Sequence, residues 1–180
     1  MGDRLTAKRK GELLELSAHL GVEFKDLTLL HEALIHSSYA NEAKEKNIVH
    51  NERLEFLGDA VLEIVVSDYL YRNRVKSSEG ELTKLRASLV CEPTLADCAK
   101  EISLGDFIKL SHGEDINGGR ERKSILSDAF EALIGAIYLD GGLECAGKFI
   151  KERLLSDIEK KQLFFDSKTS LQERVQGKGM

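Results

Sequence analysis

Along most of this chain apolar residues recur every three or four positions, the spacing that gathers them on one side of an α-helix, and no run alternates convincingly at period two. The pattern predicts helices near residues 8–19, 26–38, 51–73, 79–91, 94–102, 123–139 and 143–161. Glycines punctuate them at Gly21, Gly105, Gly113, Gly118–Gly119 and Gly141–Gly142, and Pro93 is the sole proline. Ser78 followed by Glu81 has the spacing of a capping box. The helical rhythm fades over QLFFDSK and resumes at Thr169, which predicts a domain over 1–161, a linker at 162–168 and the start of a further element at 169–180. The fold class expected is all-α.

Composition narrows the class. With 180 residues, 42% hydrophobic and 32% charged, the chain can bury a full core and reads as soluble and globular. No apolar run reaches membrane-span length and the opening MGDRLTAKRKGE is no secretory signal, so a cytoplasmic protein without a membrane partner is expected. The three cysteines, Cys91, Cys98 and Cys145, are odd in number and lack metal-ligand spacing, which fits free thiols in a reducing compartment. A net charge of −5 argues against gripping nucleic acid by bulk charge.

The segment HNERLEFLGDAVLEIVVSDYLY places acids where a core helix should be apolar. Glu52, Glu55 and Asp59 fall within an arc of roughly 60°, with Glu63 beside them as a surface charge. Leu54, Leu57, Val61, Ile64 and Val65 are expected to face the core. Asn51 is a plausible N-cap. A second segment, KSILSDAFEALIGAIYLDGG, carries Asp128 and Glu131 on one face, bordered by the small residues Ala132 and Gly135. Leu126, Phe130, Leu133 and Ile137 mark the core side. Small neighbours leave room for a close approach. If the two helices cross there, Glu55, Asp59, Asp128 and Glu131 converge, and like charges at that density require a cation. Oxygen ligands suit a hard divalent ion, Mg²⁺ or Mn²⁺. No histidine follows either glutamate at three residues, unlike a ferritin-type di-iron site.

NERLEFLGD together with SILSDAFEALIGA resembles the signature segments of the ribonuclease III family of double-stranded-RNA endonucleases, and FKDLTLLHEALIHSSY, EGELTKLRASLV and LGDFIKL follow the same order over about 160 residues. The resemblance implies the family's helical endonuclease fold in a two-fold homodimer. It implies Glu55, Asp59, Asp128 and Glu131 as metal-binding carboxylates, with Asp59 and Glu131 catalytic, and Glu52 and Glu79 as accessory acids. First-turn stabilisation of a helix is an equal account of Glu79. Phe56 resembles the side chain that enters a socket on the second subunit. The implied reaction is cleavage of double-stranded RNA to 5′-phosphate and 3′-hydroxyl staggered ends with Mg²⁺, in processing of rRNA, mRNA and other structured precursors.

An RNA enzyme of negative net charge must concentrate its cations. Arg120, Arg122 and Lys123 are either phosphate contacts or a solvated loop, and Lys84 and Arg86 are weaker candidates. DSKTSLQERVQGKGM resembles the first helix of a double-stranded-RNA-binding domain and stops there. Two other functions compete: a catalytically silent duplex-RNA binder or ribosome-associated relative, and an all-α nucleotide pyrophosphohydrolase, which also binds Mg²⁺ through acidic helix pairs. His36 and His50 are expected to be capping or core residues.

Overall fold

A computed structural model describes residues 5–43 and 48–156, and among them there is no β-strand. Helix α1 (Ala7–Leu20) starts at Thr6, whose hydroxyl accepts from Arg9 N–H at 3.2 Å, and ends where Gly21 turns left-handed. The single helix expected over 26–38 is two, α2 (Leu27–Ala33) and α3 (Ser37–Glu42). The break has a clear cause. Lys109 N–H donates to Leu34 O at 2.7 Å, His36 N–H to Lys109 O at 3.1 Å and Asn51 N–H to Ile35 O at 2.9 Å. Backbone groups that would continue the helix are instead tied to two distant segments. Residues that pattern alone reads as helical are overridden by tertiary pairing.

Helix α4 (Glu52–Asn73) is followed by α5 (Glu79–Leu89), which opens with the full reciprocal capping box of Ser78 and Glu81. Helix α6 (Glu92–Glu101) begins two residues before its expected start, since proline is well suited to a helix's first turn. A 3₁₀ turn (Leu104–Phe107), the short α7 (His112–Ile116) and a second 3₁₀ turn (Gly119–Glu121) follow; none is long enough to show a helical period. Helix α8 (Lys123–Ile150) joins the two helices expected over 123–139 and 143–161, with a kink where Gly142 adopts φ 78°. A π-helical turn continues it (Lys151–Leu155). The end of the expected final helix, the linker at 162–168 and the segment 169–180 lie outside the described residues. No described helix is long and apolar enough to cross a membrane. No disulfide joins the cysteines; Cys98 is buried and Cys145 exposed.

Helix α8 is the centre of the core. Leu126, Phe130, Leu133, Ile134 and Ile137 are buried on one side, each contributing about 1.5–3 kcal/mol of hydrophobic stabilisation, and Ile125, Ala129, Ala132, Gly135 and Ala136 are buried round the rest of its circumference. Helix α4 packs along one side, with α6 and α2 on the others. The α4–α8 crossing is set by two glycines. A Cβ on Gly58 would land on the carbonyl oxygen of Glu131, and a Cβ on Gly135 on that of Leu54. This contact corrects the expected core face of α4. Leu54, Val61 and Val65 are buried and Leu57 is half-buried, but Ile64 is exposed, because the buried arc is centred on Gly58 and Ile64 lies roughly 120° away. The small residues near Glu131 do admit a close neighbour, and that neighbour is α4 itself.

Candidate metal centre

The glycine contact determines where the acids go. Backbones that nearly touch at Gly58 and Glu131 bring the adjacent turn of α4, with Glu55 and Asp59, against the first turns of α8, with Asp128 and Glu131. Glu55, Asp128 and Glu131 each present a carboxylate oxygen within 4.8 Å of the others, all three half-buried. Asp59 is exposed one turn along from Glu55, at the lip of the cluster, and its charge reaches both Glu55 and Glu131. Glu52 is exposed on the other side and its charge reaches Glu55 and Asp128.

Electrostatics follow from burial plus crowding. Loss of solvent raises the Glu131 carboxyl, and the charges of Asp59, Glu55 and Asp128 raise it further, to about 8. Burial likewise raises Glu55, helped by Asp128, Glu52 and Asp59. Asp128 is raised by burial and by Glu92 and Glu52, and lowered by Ser127 and His36. Of the two lowering influences Ser127 is the larger, its hydroxyl lying 3.3 Å from Asp128 Oδ1 and 2.9 Å from Ser124 O. Three oxygen donors that cannot all ionise alone are a site for a hard cation. The donor chemistry and the distances therefore fit a divalent ion held by Glu55, Asp128 and Glu131.

Comparison with known proteins shows the family. The family described as Ribonuclease-III-like matches residues 26–158, a span that holds every carboxylate of the cluster. The chain is 53% identical over 167 residues to Ribonuclease 3 of Caldanaerobacter subterraneus subsp. tengcongensis, covering 91% of this chain and 73% of that protein. The chain belongs to the ribonuclease III family. Among solved structures, the nuclease domain of ribonuclease III from Campylobacter jejuni aligns with a TM-score of 0.72 at 49% identity, over 82% of this chain and 93% of that one. A second structure of that domain, at TM-score 0.70 and 49% identity over 77% and 96% of the two chains, concerns structural flexibility in a region involved in dimer formation.

Not every residue expected at this ribonuclease III centre lies there. Glu79 accepts a hydrogen bond from Thr83 Oγ1 at 2.9 Å and sits on the rim of a groove between α4 and α5, lined also by Ile64, Ser67, Tyr71 and Leu82. Ser67 is twelve residues beyond Glu55 on α4, or about 18 Å along the helix. Within one chain Glu79 is remote from the cluster. Conversely, sequence reasoning overlooked Glu92, whose charge reaches Asp128 from α6; His36 caps α3 as expected, Nδ1 accepting from Ser38 N–H at 3.2 Å, and its charge also reaches Asp128. Each belongs to another element, so no spacing rule could reveal its reach to Asp128. Phe56 is 81% exposed, and Ile64 and Tyr71 are exposed further along α4. Glu63 is not an isolated surface charge, since it pairs with Arg86 at 3.0 Å.

The basic loop is also differently employed. Arg120 Nε and Nη2 grip the Asp115 carboxylate at 2.7 and 3.0 Å, while Nη1 donates to Gly105 O and Ile108 O, each at 2.9 Å. Arg122 pairs with Glu114. Among the described residues Lys123 alone of the three has no ion partner. Arg86 is likewise engaged, by Glu63 and by Ser67 Oγ at 2.9 Å. Arg120 thus ties the 105–121 loop together. Arg120→Ala should cost about 2–3 kcal/mol of stability by urea unfolding, and Lys123→Ala almost none. Equal stability of the two variants would return Arg120 to the phosphate contacts.

Proposed function

We propose that the chain is an endoribonuclease that cuts double-stranded RNA by divalent-metal-assisted phosphodiester hydrolysis, acting as a two-fold homodimer in the cytoplasm on rRNA and other structured precursors. The single observation that carries this is the convergence of Glu55, Asp128 and Glu131 within 4.8 Å, with Asp59 exposed beside them. Glu55, Asp128 and Glu131 would hold the ion through carboxylate oxygens, and Mg²⁺, with Mn²⁺ as a substitute, is the best match to an all-oxygen set. A bound ion supplies Lewis acidity, making a water nucleophilic at neutral pH and neutralising charge on the phosphate. Asp59, exposed at the solvent edge, would orient that water and accept its proton. The water oxygen would bond to phosphorus as the bond to the 3′-oxygen breaks, and the departing 3′-oxygen would take a proton from solvent, leaving a 5′-phosphate and a 3′-hydroxyl. Glu52 adds negative potential that favours the cation.

The exposed apolar side chains of α4 support the dimer: Phe56, nearly bare, and Ile64 and Tyr71 beside the α4–α5 groove call for a partner. The α4–α5 groove is the candidate socket for Phe56 of a second copy, and a two-fold relation would make the contact reciprocal. Glu79 on the groove's rim would then serve the other copy's centre, which accounts for its distance within one chain. Phe56→Ser should weaken the dimer by about 3 kcal/mol, roughly a hundredfold, by sedimentation; an unchanged dissociation constant would exclude the socket. Residues 1–161 are proposed as the nuclease domain, 162–168 as a linker and 169–180 as the beginning of an RNA-binding domain.

The test is cleavage of a long RNA duplex with Mg²⁺, run beside single-stranded RNA and a nucleoside triphosphate. Staggered products with 5′-phosphates from the duplex alone are expected. Turnover of the triphosphate alone would favour a pyrophosphohydrolase, and duplex binding without cleavage a silent relative.

A further inference from the structure

An acidic chain that acts on RNA must concentrate its positive charge, yet Arg86, Arg120 and Arg122 are all engaged internally. A different group of cations gathers where α1 meets the segment after the first 3₁₀ turn. Arg9, buried on α1, donates from Nη2 to Phe107 O at 3.0 Å, from Nη1 to Glu12 at 3.0 Å and from Nε to His31 Nδ1 at 3.1 Å. Arg120 donates from Nη1 to Ile108 O at 2.9 Å. Two guanidinium groups thus hold the carbonyls of the two residues before Lys109. The backbone of Lys109 is fixed as well, its N–H donating to Leu34 O at 2.7 Å and its carbonyl accepting from His36 N–H at 3.1 Å. Ile108 and Leu110 are buried, so extended backbone turns Lys109 to the opposite side, where it is half-buried.

Lys109 has no acid of its own. Among the described residues no carboxylate pairs with it, and Glu12, the one acid whose charge reaches it, is already gripped by Arg9 and lies 4.0 Å from Lys8 Nζ. Burial pushes the Lys109 ammonium below its usual range, and Arg9, Lys8 and Arg120 push it further, with Glu12 alone opposing. An anion from outside would complete the group. We propose that Lys109, with Lys8 beside it, binds a backbone phosphate of duplex RNA at a point outside the metal centre. Lys109 supplies the free ammonium and Lys8 a second one at the exposed edge, while Arg9 and Arg120, their donors spent on backbone and acids, add a fixed positive field. A lysine acts on phosphate as a point charge and reads no base, which suits a duplex recognised by shape and backbone. The inference rests on the proposed endoribonuclease and gives it a contact that lies in neither the carboxylate pattern nor the basic loop.

Binding of a long RNA duplex by the full chain, measured with chelator so that nothing is cut, tests the site across about 50 to 200 mM salt. Lys109→Gln should bind roughly tenfold more weakly at the low-salt end, with the slope of log affinity against log salt shallower by about one. Lys109→Arg keeps the charge and should stay near the unsubstituted chain. Lys148→Gln removes a surface lysine that pairs with Glu152 at 3.9 Å, and should change neither affinity nor slope. With Mg²⁺ present, Lys109→Gln should raise KM for the duplex by a similar factor and leave kcat alone. Its urea midpoint should not fall, whereas a lysine kept only for the fold would lower it. Equal affinity, slope and KM in Lys109→Gln and the unsubstituted chain overturn this site alone. Inorganic phosphate that stabilises the unsubstituted chain but not Lys109→Gln, with RNA affinity equal in both, would assign the site to free phosphate and overturn the RNA contact. An unsubstituted chain that neither binds nor cuts the duplex overturns the endoribonuclease itself, before any variant is compared.

Discussion

Glu131→Gln should reduce duplex cleavage by roughly a thousandfold, about 4 kcal/mol of transition-state stabilisation, and at the same time make the metal-free chain more stable at alkaline pH. The two effects share one cause. Glu131 keeps its proton in the fold up to about 8, against an ordinary 4.5, because it is buried among Asp59, Glu55 and Asp128. An unfolded chain sheds that proton first as pH rises. The folded state then binds more protons, so stability is intact below 4.5, falls between there and about 8, and is flat above. Glutamine cannot ionise and escapes the loss. The variant's advantage should open across that window and reach about 2 kcal/mol near pH 9, a figure reduced for the screening that a half-buried group retains. Mg²⁺ reverses the order, since only the carboxylate chain gains from it, and its affinity should climb with pH as bound protons cease to compete. Urea unfolding near the two ends of the window, with chelator and with Mg²⁺, reads every part of this. A stability difference that does not change with pH would mean that Glu131 is not in the crowded environment described.

Much of this was visible in the sequence, and the parts that were not share a physical reason. Local rules sufficed for the helices: Ser78 and Glu81 form the box their spacing suggests, and Asp128 and Glu131 stand out on α8 because nearly everything around them is apolar. Local rules failed wherever a distant segment decides the outcome. Ile35 leaves the helical path because Lys109 takes up its neighbours' backbone groups. Arg120 resembled a free cation because Asp115 and the carbonyls of Gly105 and Ile108 come to it only in three dimensions. Convergence of the carboxylates required knowing that α4 and α8 touch; of the two glycines that let them touch, Gly135 was noticed and Gly58 was passed over. A glycine in the middle of a long helix costs about 1 kcal/mol relative to alanine, so Gly58 carried its own signal that something packs against it.

That signal leads to the second large effect. Gly58→Ala should destabilise the chain by at least about 3 kcal/mol and abolish Mg²⁺ binding, although alanine is the better helix former. A methyl group there meets the Glu131 carbonyl, which is backbone of the core helix and cannot rotate aside. Relief requires α4 to move off α8, and the same movement draws Glu55 away from Asp128 and Glu131. Gly135→Ala pushes on the same crossing from the opposite side, against Leu54 O, and should behave alike. Gly11 supplies the contrast: it is also helical, but a Cβ there meets nothing within 4 Å, so Gly11→Ala should stabilise by about 0.5–1 kcal/mol through backbone entropy alone. Denaturant midpoints rank the three variants, and calorimetry with Mg²⁺ shows whether lost packing and lost metal binding go together. If Gly58→Ala folded as stably as the Gly11 variant and still bound Mg²⁺, close helix contact would not be what assembles the centre.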